Sequence, residues 1–341
     1  MDAAQRISKN VNYSYIPLPQ PTQVVEQTWP ANTNPLVHIR IMVFNHENYL
    51  RTCLDSILEQ KTTFPIRILI HNDASTDGSA AILNEYSTKY PQLIHVYTQT
   101  ENTYWISDFN EKKKRRAPFD AWRIGKYEAL CEGDDFWCDP TKLQQQVDWM
   151  ETHEDYSGIC HTTRVLNENG RTSSADDFWT NWEYDRDLDL SHIVQAKSPF
   201  HTSAFLFRSS ILPSLAKVNL KTKSYDWVNF TICAIHGKIR YLHQTMSVYR
   251  VHIFGITTTM NHRAGLAIQL NRYHMWFVLK QHGIGAEQEA IFNKMLRHQR
   301  NFFLYHYNVN NWNEALDILS VLYKQENLST CFQFLRRYLF S

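Results

Sequence analysis

The stretch YEALCEGDDFW, residues 127–137, joins an apolar run to a cluster of acidic residues. Its first half, YEALC (127–131), has the composition of a buried strand, and the acidic cluster EGDD (132–135) follows without a spacer. After a short polar turn, apolar residues within 143–150 recur at helical spacing. The sequence therefore predicts acids at the carboxyl end of a strand, which is where open α/β sheets bind their ligands.

The segment before this stretch alternates predicted strands with predicted helices. Apolar runs of strand length occur at VHIRIMVF (37–44), FPIRILI (64–70) and 93–97, and apolar residues recur at helical spacing in 50–58 and 80–90. Such alternation is typical of a parallel sheet with right-handed crossovers. We expect an α/β fold with a mostly parallel central sheet flanked by helices.

The rest of the chain divides into regions of different character. Residues 1–35 are polar and contain several prolines, which predicts an irregular N-terminal arm. The strand and helix pattern occupies 36–262, and the helical, aromatic pattern of 263–341 predicts a helical C-terminal appendage. Residues 98–122 are polar and include a basic run at 112–116, which predicts a surface loop.

Composition and charge exclude several classes of protein. Of 341 residues, 43% are hydrophobic and 20% are charged, which excludes a disordered chain. Lys plus Arg number 35 and Asp plus Glu number 34, so the net charge of +1 provides no field that would recruit nucleic acid. The six cysteines include no Cys-x-x-Cys pair, which argues against a structural zinc. Without a secretion signal or a membrane-spanning window, we expect a cytoplasmic protein.

Two acidic clusters follow predicted strands and are candidates for ligand contact. Adjacent carboxylates in EGDD (132–135) repel unless a divalent cation shares their charge, and a solvated helix cap is the competing interpretation. In HNDASTDGS (71–79), Asp77 and Ser79 fit helix capping, which leaves Asp73 for contact with a nucleotide base. No Gly-x-Gly-x-x-Gly and no P-loop motif follow the first strand, which excludes the two common nucleotide fingerprints.

Five segments in consistent order together resemble glycosyltransferase family 2, especially its bacterial members that build surface polysaccharides. In chain order they are VHIRIMVFNHENYLRTCLDSILEQ (37–60), ILIHNDASTDGS (68–79), GKYEALCEGDDFWCDPTKLQQQVDWM (125–150), YDWVNFTICAIHGKIRYL (225–242) and MSVYRVH (246–252). The resemblance implies an A-type nucleotide-sugar fold with its catalytic domain in 36–262. It also implies a divalent metal, Mn or Mg, and transfer with inversion at the anomeric carbon. The implied donor is a nucleotide-sugar, most often a UDP-sugar, and the implied acceptor is a glycan or a lipid-linked hydroxyl.

The resemblance assigns several residues to the donor. Val43, Phe44 and Asn45 match the segment that lines the nucleoside. Asp73 matches the acid that contacts the base, usually uracil, and Asp134 matches the contact to ribose or donor sugar.

The groups around the transferred sugar follow from the same resemblance. Asp135 matches the direct metal ligand, and His252 matches a position that completes the metal or diphosphate site. Asp226 falls where the family places its catalytic base, and a helix N-cap is the competing interpretation. A metal on Asp135, helped by Arg250 or by the basic run 112–116, would stabilise the leaving diphosphate.

Two residues are candidates for the acceptor side. His201 would orient a hydroxyl, and Trp137 would stack on a sugar face. A core histidine satisfied by backbone and simple aromatic packing are the competing interpretations. The C-terminal FQFLRRYLF (332–340) permits peripheral contact with the inner face of a membrane, with packing on the catalytic domain as the alternative.

Two positions depart from the family pattern, and two other functions compete. Asn72 stands where an acid is common, and Glu128 interrupts an otherwise apolar strand.

A sugar-nucleotide nucleotidyltransferase also uses paired acids on an α/β sheet, but the first loop lacks the glycines that wrap a triphosphate. A catalytically inactive carbohydrate-binding or scaffolding protein of the same fold is the third hypothesis, against which the retained acids argue.

Overall fold

The structure, a computed structural model, describes residues 11–104, 106, 108–168, 174–180, 182–195, 198–217, 225–255 and 289–291. Apart from residues 289–291, the predicted C-terminal appendage (263–341) lies outside the described residues, and so does the predicted membrane contact at 332–340.

Short strands and helices alternate along most of the described chain. The strands are β1 (Thr22–Gln23), β2 (Val37–Val43), β3 (Lys61–Thr62), β4 (Ile66–Asn72), β5 (Ile94–Thr98), β6 (Tyr127–Glu132), β7 (Phe136–Trp137), β8 (Tyr156–Asn167), β9 (Arg186–Leu188), β10 (Leu206–Arg208) and β11 (Lys238–Val251). The α-helices are α1 (Leu50–Leu58), α2 (Ser79–Lys89), α3 (Phe109–Asp120), α4 (Lys142–Thr152), α5 (Ala175–Phe178), α6 (Leu190–Gln195), α7 (Leu212–Lys217) and α8 (Tyr225–His236). Short 3₁₀ turns occupy Val24–Glu26, Thr202–Ala204 and Ser209–Ile211.

One mixed sheet organises the described residues, and its strand order is β5-β4-β2-β6-β10-β8-β11-β7, with β9 beside β11. The predicted α/β class is confirmed, and β2 pairs in parallel with both β4 and β6. The second half of the sheet is less parallel, because β10 runs antiparallel to both β6 and β8. Nothing in the short apolar sequence of β10 signals its direction.

The core lies on one face of this sheet. Ile39 and Ile41 of β2 pair with Ile68 and Ile70 of β4, and all four are fully buried. Because side chains alternate along a strand, every second residue of β2 and β4 points to this face. Apolar residues of α1 and α4 complete the same cluster, and burying each such side chain contributes about 1.5–3 kcal/mol.

The opposite face of the first half of the sheet is charged and lies under α3. The ring of Phe119 lies 5.2 Å from that of His71 on β4. The backbone carbonyl of Arg115 accepts hydrogen bonds from Tyr97 Oη at 3.2 Å and from Gln99 Nε2 at 3.1 Å. A basic helix therefore packs on a polar sheet face.

The predicted surface loop at 98–122 is wrong over most of its length, because α3 occupies Phe109–Asp120. Asp108 caps the helix by accepting a hydrogen bond from Glu111 N at 2.9 Å. Arg115 and Glu111 form an ion pair at 2.8 Å, one helical turn apart. The helix packs on charged groups and lacks an apolar stripe, so periodicity gave no signal. The pattern Asp-x-x-Glu at 108–111 is the signal that was available.

The unexplained Glu128 is the centre of a buried ion cluster on this charged face. Its carboxylate is fully buried and accepts hydrogen bonds from His38 Nε2 at 2.6 Å and Arg40 Nε at 3.0 Å. Arg123 completes the cluster with Nε at 2.8 Å and a second guanidinium nitrogen at 2.9 Å. Burial alone would raise the pKa of Glu128, but Arg123 and His38 outweigh it and hold that pKa well below its usual range.

The N-terminal arm is largely irregular from residue 11 to residue 35, with only a short strand and a 3₁₀ turn. β1 pairs antiparallel with β3, and Val24 is fully buried. Within the part of the chain that is described, no helix combines the length and the apolar character needed to cross a membrane.

Candidate active site

The carboxyl ends of three neighbouring parallel strands meet at one edge of the sheet. Val43 of β2 pairs with Asn72 of β4, and Met42 pairs with Glu132 of β6. Backbone bonds continue past the strand ends, because Asp73 N donates to Val43 O at 2.8 Å and Gly133 N donates to Met42 O at 3.0 Å. The loops that carry the predicted site residues are therefore adjacent.

The first two loops interlock through polar side chains. Asn45 N donates to Ser75 Oγ at 3.0 Å, and Asn45 Oδ1 accepts from Thr76 N at 2.8 Å. Asn45 (φ 57°) and Ala74 (φ 61°) both adopt left-handed backbone conformations, which asparagine tolerates better than most residues. The Asn45 side chain thus organises the loop.

The residues predicted to line the nucleoside differ in their exposure to solvent. Val43 is buried in the core and Phe44, next to it, is 41% exposed. An exposed aromatic ring at the edge of the sheet is a suitable platform for a planar base.

Asp73 anchors the loop that follows β5. Its Oδ1 accepts from Thr103 N at 2.8 Å and from Thr103 Oγ1 at 2.7 Å, and its Oδ2 accepts from Tyr104 N at 3.1 Å. The sequence did not reveal these contacts. Helix capping explained other residues of this segment and assigned Asp73 no hydrogen-bond partner within the chain. A carboxylate offers about four acceptor positions, and these contacts use three of them.

Asp134 lies between two imidazoles. Its Oδ2 is 3.1 Å from His252 Nε2 and 3.6 Å from His46 Nε2. Burial raises the pKa of Asp134, but His46 and His252 outweigh that effect and set the pKa below its ordinary value. The sequence analysis found His252 and missed His46, which occupies the loop directly after the nucleoside segment.

Asp135 is the most enclosed acid of the cluster, with 1% of its surface exposed. Its Oδ1 accepts a hydrogen bond from the backbone N–H of Arg250 at 3.0 Å, and its Oδ2 lies 3.7 Å from His201 Nε2. Burial and the neighbouring charge of Asp134 raise the pKa of Asp135 well above its ordinary value. A buried carboxyl beside a second carboxylate is the kind of pair that a cation stabilises.

Arg250 braces this cluster from β11. Its Nε donates to the backbone carbonyl of Asp134 at 3.0 Å, and its guanidinium also bonds to Glu168. The guanidinium carbon lies 5.0 Å from the ring centre of Tyr49 and 5.3 Å from that of Phe136. Arg250 therefore lies next to the acids and holds their loop in place.

Asp226 lies in the first turn of α8 and is exposed. Desolvation raises the pKa of Asp226, whereas Arg40 and a hydrogen bond with the Thr202 side chain lower it by less. Thr202 directly follows His201, which faces Asp135. Asp226 is thereby linked to the segment that borders Asp135.

Glu132 was not selected as a site residue from the sequence, although it belongs to the acidic cluster. Burial, followed by the charge of Asp226, raises the pKa of Glu132 to about 8, against the opposing charge of Arg40. Its position, two residues before Asp134 on the same strand end, was the available signal.

The two acceptor-side candidates differ in their surroundings. Trp137 is buried, its Nε1 donates to Ser203 O at 3.1 Å, and the Lys142 ammonium lies 4.1 Å from its ring centre. Trp137 is therefore packed in the interior, with its indole N–H paired. His201 borders Asp135, and burial lowers the pKa of His201 to about 4, so its imidazole is neutral at neutral pH.

The donor atoms at this edge suit a divalent cation. Carboxylate oxygens of Asp134 and Asp135 are the hard ligands that Mg²⁺ and Mn²⁺ prefer, and an imidazole such as that of His252 suits a transition metal. Over the described residues, no group of three or more ligating side chains is already arranged around one point. The buried carboxyl group of Asp135 next to that of Asp134 is the feature that fits a cation here.

Comparison with known proteins gives a consistent result. The model of the family described as "Glycosyl transferase family 2" matches residues 39–111. The chain is 32% identical over 256 residues to the uncharacterized protein Rv1520 of Mycobacterium tuberculosis (strain ATCC 25618 / H37Rv), covering 75% of this chain and 68% of that protein. It is also 28% identical over 223 residues to the uncharacterized glycosyltransferase alr2836 of Nostoc sp. (strain PCC 7120), covering 63% and 65%.

Solved structures share the fold. A crystal structure of S. aureus TarS 1–349 in complex with UDP-GlcNAc superposes with a TM-score of 0.62 at 15% identity, covering 84% of this chain and 80% of that chain. The same region of TarS in complex with UDP gives a TM-score of 0.56 at 16% identity, covering 82% and 77%. At this identity the likeness concerns the fold alone.

Proposed function

The chain belongs to glycosyltransferase family 2 and is a glycosyltransferase, and from this premise we propose the reaction that its cleft performs. The proposed donor is a UDP-sugar and the proposed acceptor is a hydroxyl of a glycan or of a lipid-linked glycan. The transfer inverts the configuration at the anomeric carbon and serves polysaccharide biosynthesis. The proposed catalytic domain is 36–262.

The support for the proposal is the pair Asp134 and Asp135 at the carboxyl end of β6, together with a chain of neighbouring residues that leads from this pair to Asp226. Asp134 and Asp135 follow β6, and Asp226 comes from α8, which is distant in sequence. Two consecutive residues connect them. His201 Nε2 lies 3.7 Å from Asp135 Oδ2, and the side chain of Thr202 forms a hydrogen bond with Asp226. A cation-binding pair next to a separate carboxyl group is what an inverting transfer to a hydroxyl requires.

The donor's nucleoside is proposed to occupy the loops after β2 and β4. Phe44 offers an exposed ring, and Asp73 keeps an acceptor position for a base N–H. The fold likeness to a protein solved with UDP-GlcNAc and with UDP supports a nucleotide-sugar at this edge. Asp134 is proposed to contact the ribose or the donor sugar.

A divalent metal, Mn or Mg, is proposed at Asp135 with His252. When bound, it would supply positive charge to the diphosphate that leaves. Arg250 keeps the acidic loop in position through the Asp134 carbonyl.

Asp226 is proposed as the catalytic base. It accepts the proton of the acceptor hydroxyl while the hydroxyl oxygen bonds to the anomeric carbon and the bond to the diphosphate oxygen breaks. The raised pKa of Asp226 suits this role, because a base is most effective when its pKa approaches the working pH. The Thr202 hydroxyl fixes the orientation of the carboxyl group. Next to it, neutral His201 is proposed to orient the acceptor hydroxyl.

A panel of nucleotide-sugars with Mn²⁺ tests the proposed function. We expect metal-dependent hydrolysis or transfer with a UDP-sugar, and we expect Asp135→Ala to weaken the metal dependence of both UDP binding and turnover. Pyrophosphate release from a nucleoside triphosphate would instead indicate a nucleotidyltransferase. Unchanged activity and unchanged metal dependence in Asp135→Ala would remove the metal assignment.

A further inference from the structure

One ring nitrogen of His201 is bound by its own turn, and the other faces Asp135. We propose that the turn keeps His201 as a hydrogen-bond donor, whose Nε2–H donates to the oxygen of the acceptor hydroxyl and never takes its proton. The inference rests on the proposed function, in which Asp226 is the base. It fixes which atom of His201 touches the substrate and in which direction that hydrogen bond runs.

The bond on Nδ1 determines where His201 carries its proton. His201 precedes the 3₁₀ turn Thr202–Ala204, and the backbone N–H of Ser203 donates to His201 Nδ1 at 3.2 Å. The turn fixes the direction of this backbone N–H, so Nδ1 must offer a lone pair. An imidazolium has a proton on both nitrogens and offers none, whereas a neutral imidazole has a proton on one nitrogen only. The bond therefore selects neutral His201 with its proton on Nε2.

Buried groups hold the ring in this orientation. Ser203 Oγ lies 2.8 Å from His201 Nδ1 and 2.9 Å from Ser247 Oγ on β11. Ser247 Oγ is in turn 2.9 Å from Thr163 Oγ1 on β8, and all three hydroxyl residues are buried. On its face, the His201 ring packs against Tyr249, with 4.6 Å between the ring centres. Rotation of the imidazole would break the contacts at Nδ1, so Nε2 keeps its direction.

The N–H on Nε2 is left for a ligand. Nε2 lies 3.7 Å from Asp135 Oδ2, which is longer than a hydrogen bond. Among the described residues, Nε2 of His201 makes no hydrogen bond, in contrast to Nδ1. The His201 side chain is 14% exposed, so a substrate oxygen can reach this N–H next to Asp135.

Two other histidines show that the backbone partner sets the tautomer. The backbone N–H of Gly125 donates to His38 Nδ1 at 3.0 Å, and His38 Nε2 donates to Glu128 Oε2 at 2.6 Å. His161 has the opposite arrangement, because its Nδ1 donates to the backbone carbonyl of Thr162 at 2.9 Å. His201 shares the Nδ1 bond of His38, and we infer that a substrate oxygen takes the place that Glu128 has there.

The tautomer decides what His201 does in the transfer. The nitrogen next to Asp135 has a proton and no lone pair, so His201 cannot remove the proton of the acceptor hydroxyl. One lone pair of the hydroxyl oxygen accepts the hydrogen bond from Nε2–H, and the other forms the bond to the anomeric carbon. The hydroxyl proton passes to Asp226 as the bond to the diphosphate oxygen breaks, and His201 keeps its own proton throughout.

Two substitutions separate the two ring nitrogens. His201→Gln carries its amide near the position of Nε2, whereas the shorter His201→Asn reaches only the position of Nδ1. The test measures kcat of the full chain with the nucleotide-sugar and Mn²⁺ that support wild-type turnover; in hydrolysis, water takes the place of the acceptor hydroxyl. We expect His201→Gln to stay within about threefold of the wild type and His201→Asn to lose about tenfold, the effect of one hydrogen bond. UDP affinity is expected to be unchanged in both variants.

The control and a second measurement complete the test. His153→Asn removes an imidazole that stacks on Trp149, and its kcat is expected to match that of the wild type. NMR of the histidine nitrogens, with His201 assigned by the signal that His201→Gln lacks, reads the tautomer without any turnover. We expect a protonated Nε2 and an unprotonated Nδ1.

Three results would overturn the inference and leave the proposed function intact. They are equal losses of kcat in His201→Gln and His201→Asn, weaker UDP binding in His201→Asn, and a proton on Nδ1. The second of these would place the hydrogen bond on the diphosphate instead of the acceptor. Absence of turnover in the wild type with every nucleotide-sugar overturns the proposed function itself.

Discussion

Gly133, between Glu132 and Asp134, lies in close contact with its neighbours. A Cβ at this position would lie 2.7 Å from His46 Nδ1, 3.0 Å from Val43 Cγ2 and 3.2 Å from Met42 O. The first of these atoms belongs to an imidazole next to Asp134, and the last belongs to the backbone of β2. A side chain at 133 would therefore displace the ring, the strand end, or both.

We expect Gly133→Ala to lower the free energy of unfolding by about 1–3 kcal/mol, as overpacking usually does, and to reduce UDP binding. Gly78→Ala is the control, because its nearest contact, also at 2.7 Å, is the flexible carboxylate end of exposed Glu47. Denaturant unfolding and titration with UDP check both variants. Equal losses in the two variants would show that contact distance alone, and not the rigidity of the neighbour, sets the cost.

Among the helices, α3 links the donor loops to the charged sheet face. It begins after the loop that Asp73 holds through Thr103, and Arg116 on it acts on Glu132. The side chain of Asp108 caps the start of α3 by accepting a hydrogen bond from Glu111 N at 2.9 Å.

Removing this cap tests the role of α3 as a separate element. Asp108→Ala is expected to cost about 1 kcal/mol of local stability, seen as faster hydrogen exchange at the amides of 111–115. Asp108→Ser keeps an acceptor oxygen and is expected to retain most of the protection. Unchanged exchange in Asp108→Ala would mean that packing on the sheet, and not the cap, fixes the start of the helix.

At the scale of the whole molecule, a buried lysine makes the stability depend on pH. Lys142 is fully buried, its Nζ donates to Gln146 Oε1 at 2.8 Å, and burial lowers its pKa to about 7. In the unfolded chain its pKa is about 10.4. Between these values the unfolded state binds more protons, so stability rises with pH by up to about 1.4 kcal/mol per unit.

We expect Lys142→Met to flatten the dependence of the unfolding free energy on pH between about 7 and 10. Lys126→Met, which removes a lysine that is paired with Glu151 and is 37% exposed, is expected to keep the wild-type slope. Thermal unfolding over this pH range provides the measurement. An unaltered slope in Lys142→Met would mean that another group is responsible.

The sequence predicted the first half of the fold well, because β2, β4 and β6 are apolar runs that end in polar loops. The acids at those ends were identified for the same reason. Hydrophobic periodicity could not predict the direction of β10 or the existence of α3, since neither carries an apolar period, and for α3 only the capping pattern at 108–111 gave a signal. The bonds of Asp73 to Thr103 and of Asp226 to Thr202 join distant segments, and they depend on how the chain folds back on itself.

The most direct measurement of the central claim is the turnover of Asp226→Asn at saturating donor. The amide keeps the shape of the carboxyl group but accepts no proton from the acceptor, so we predict wild-type affinity for UDP and a kcat lower by about 10²–10⁴-fold. Turnover close to that of the wild type would contradict the account, because Asp226 would then not be the base.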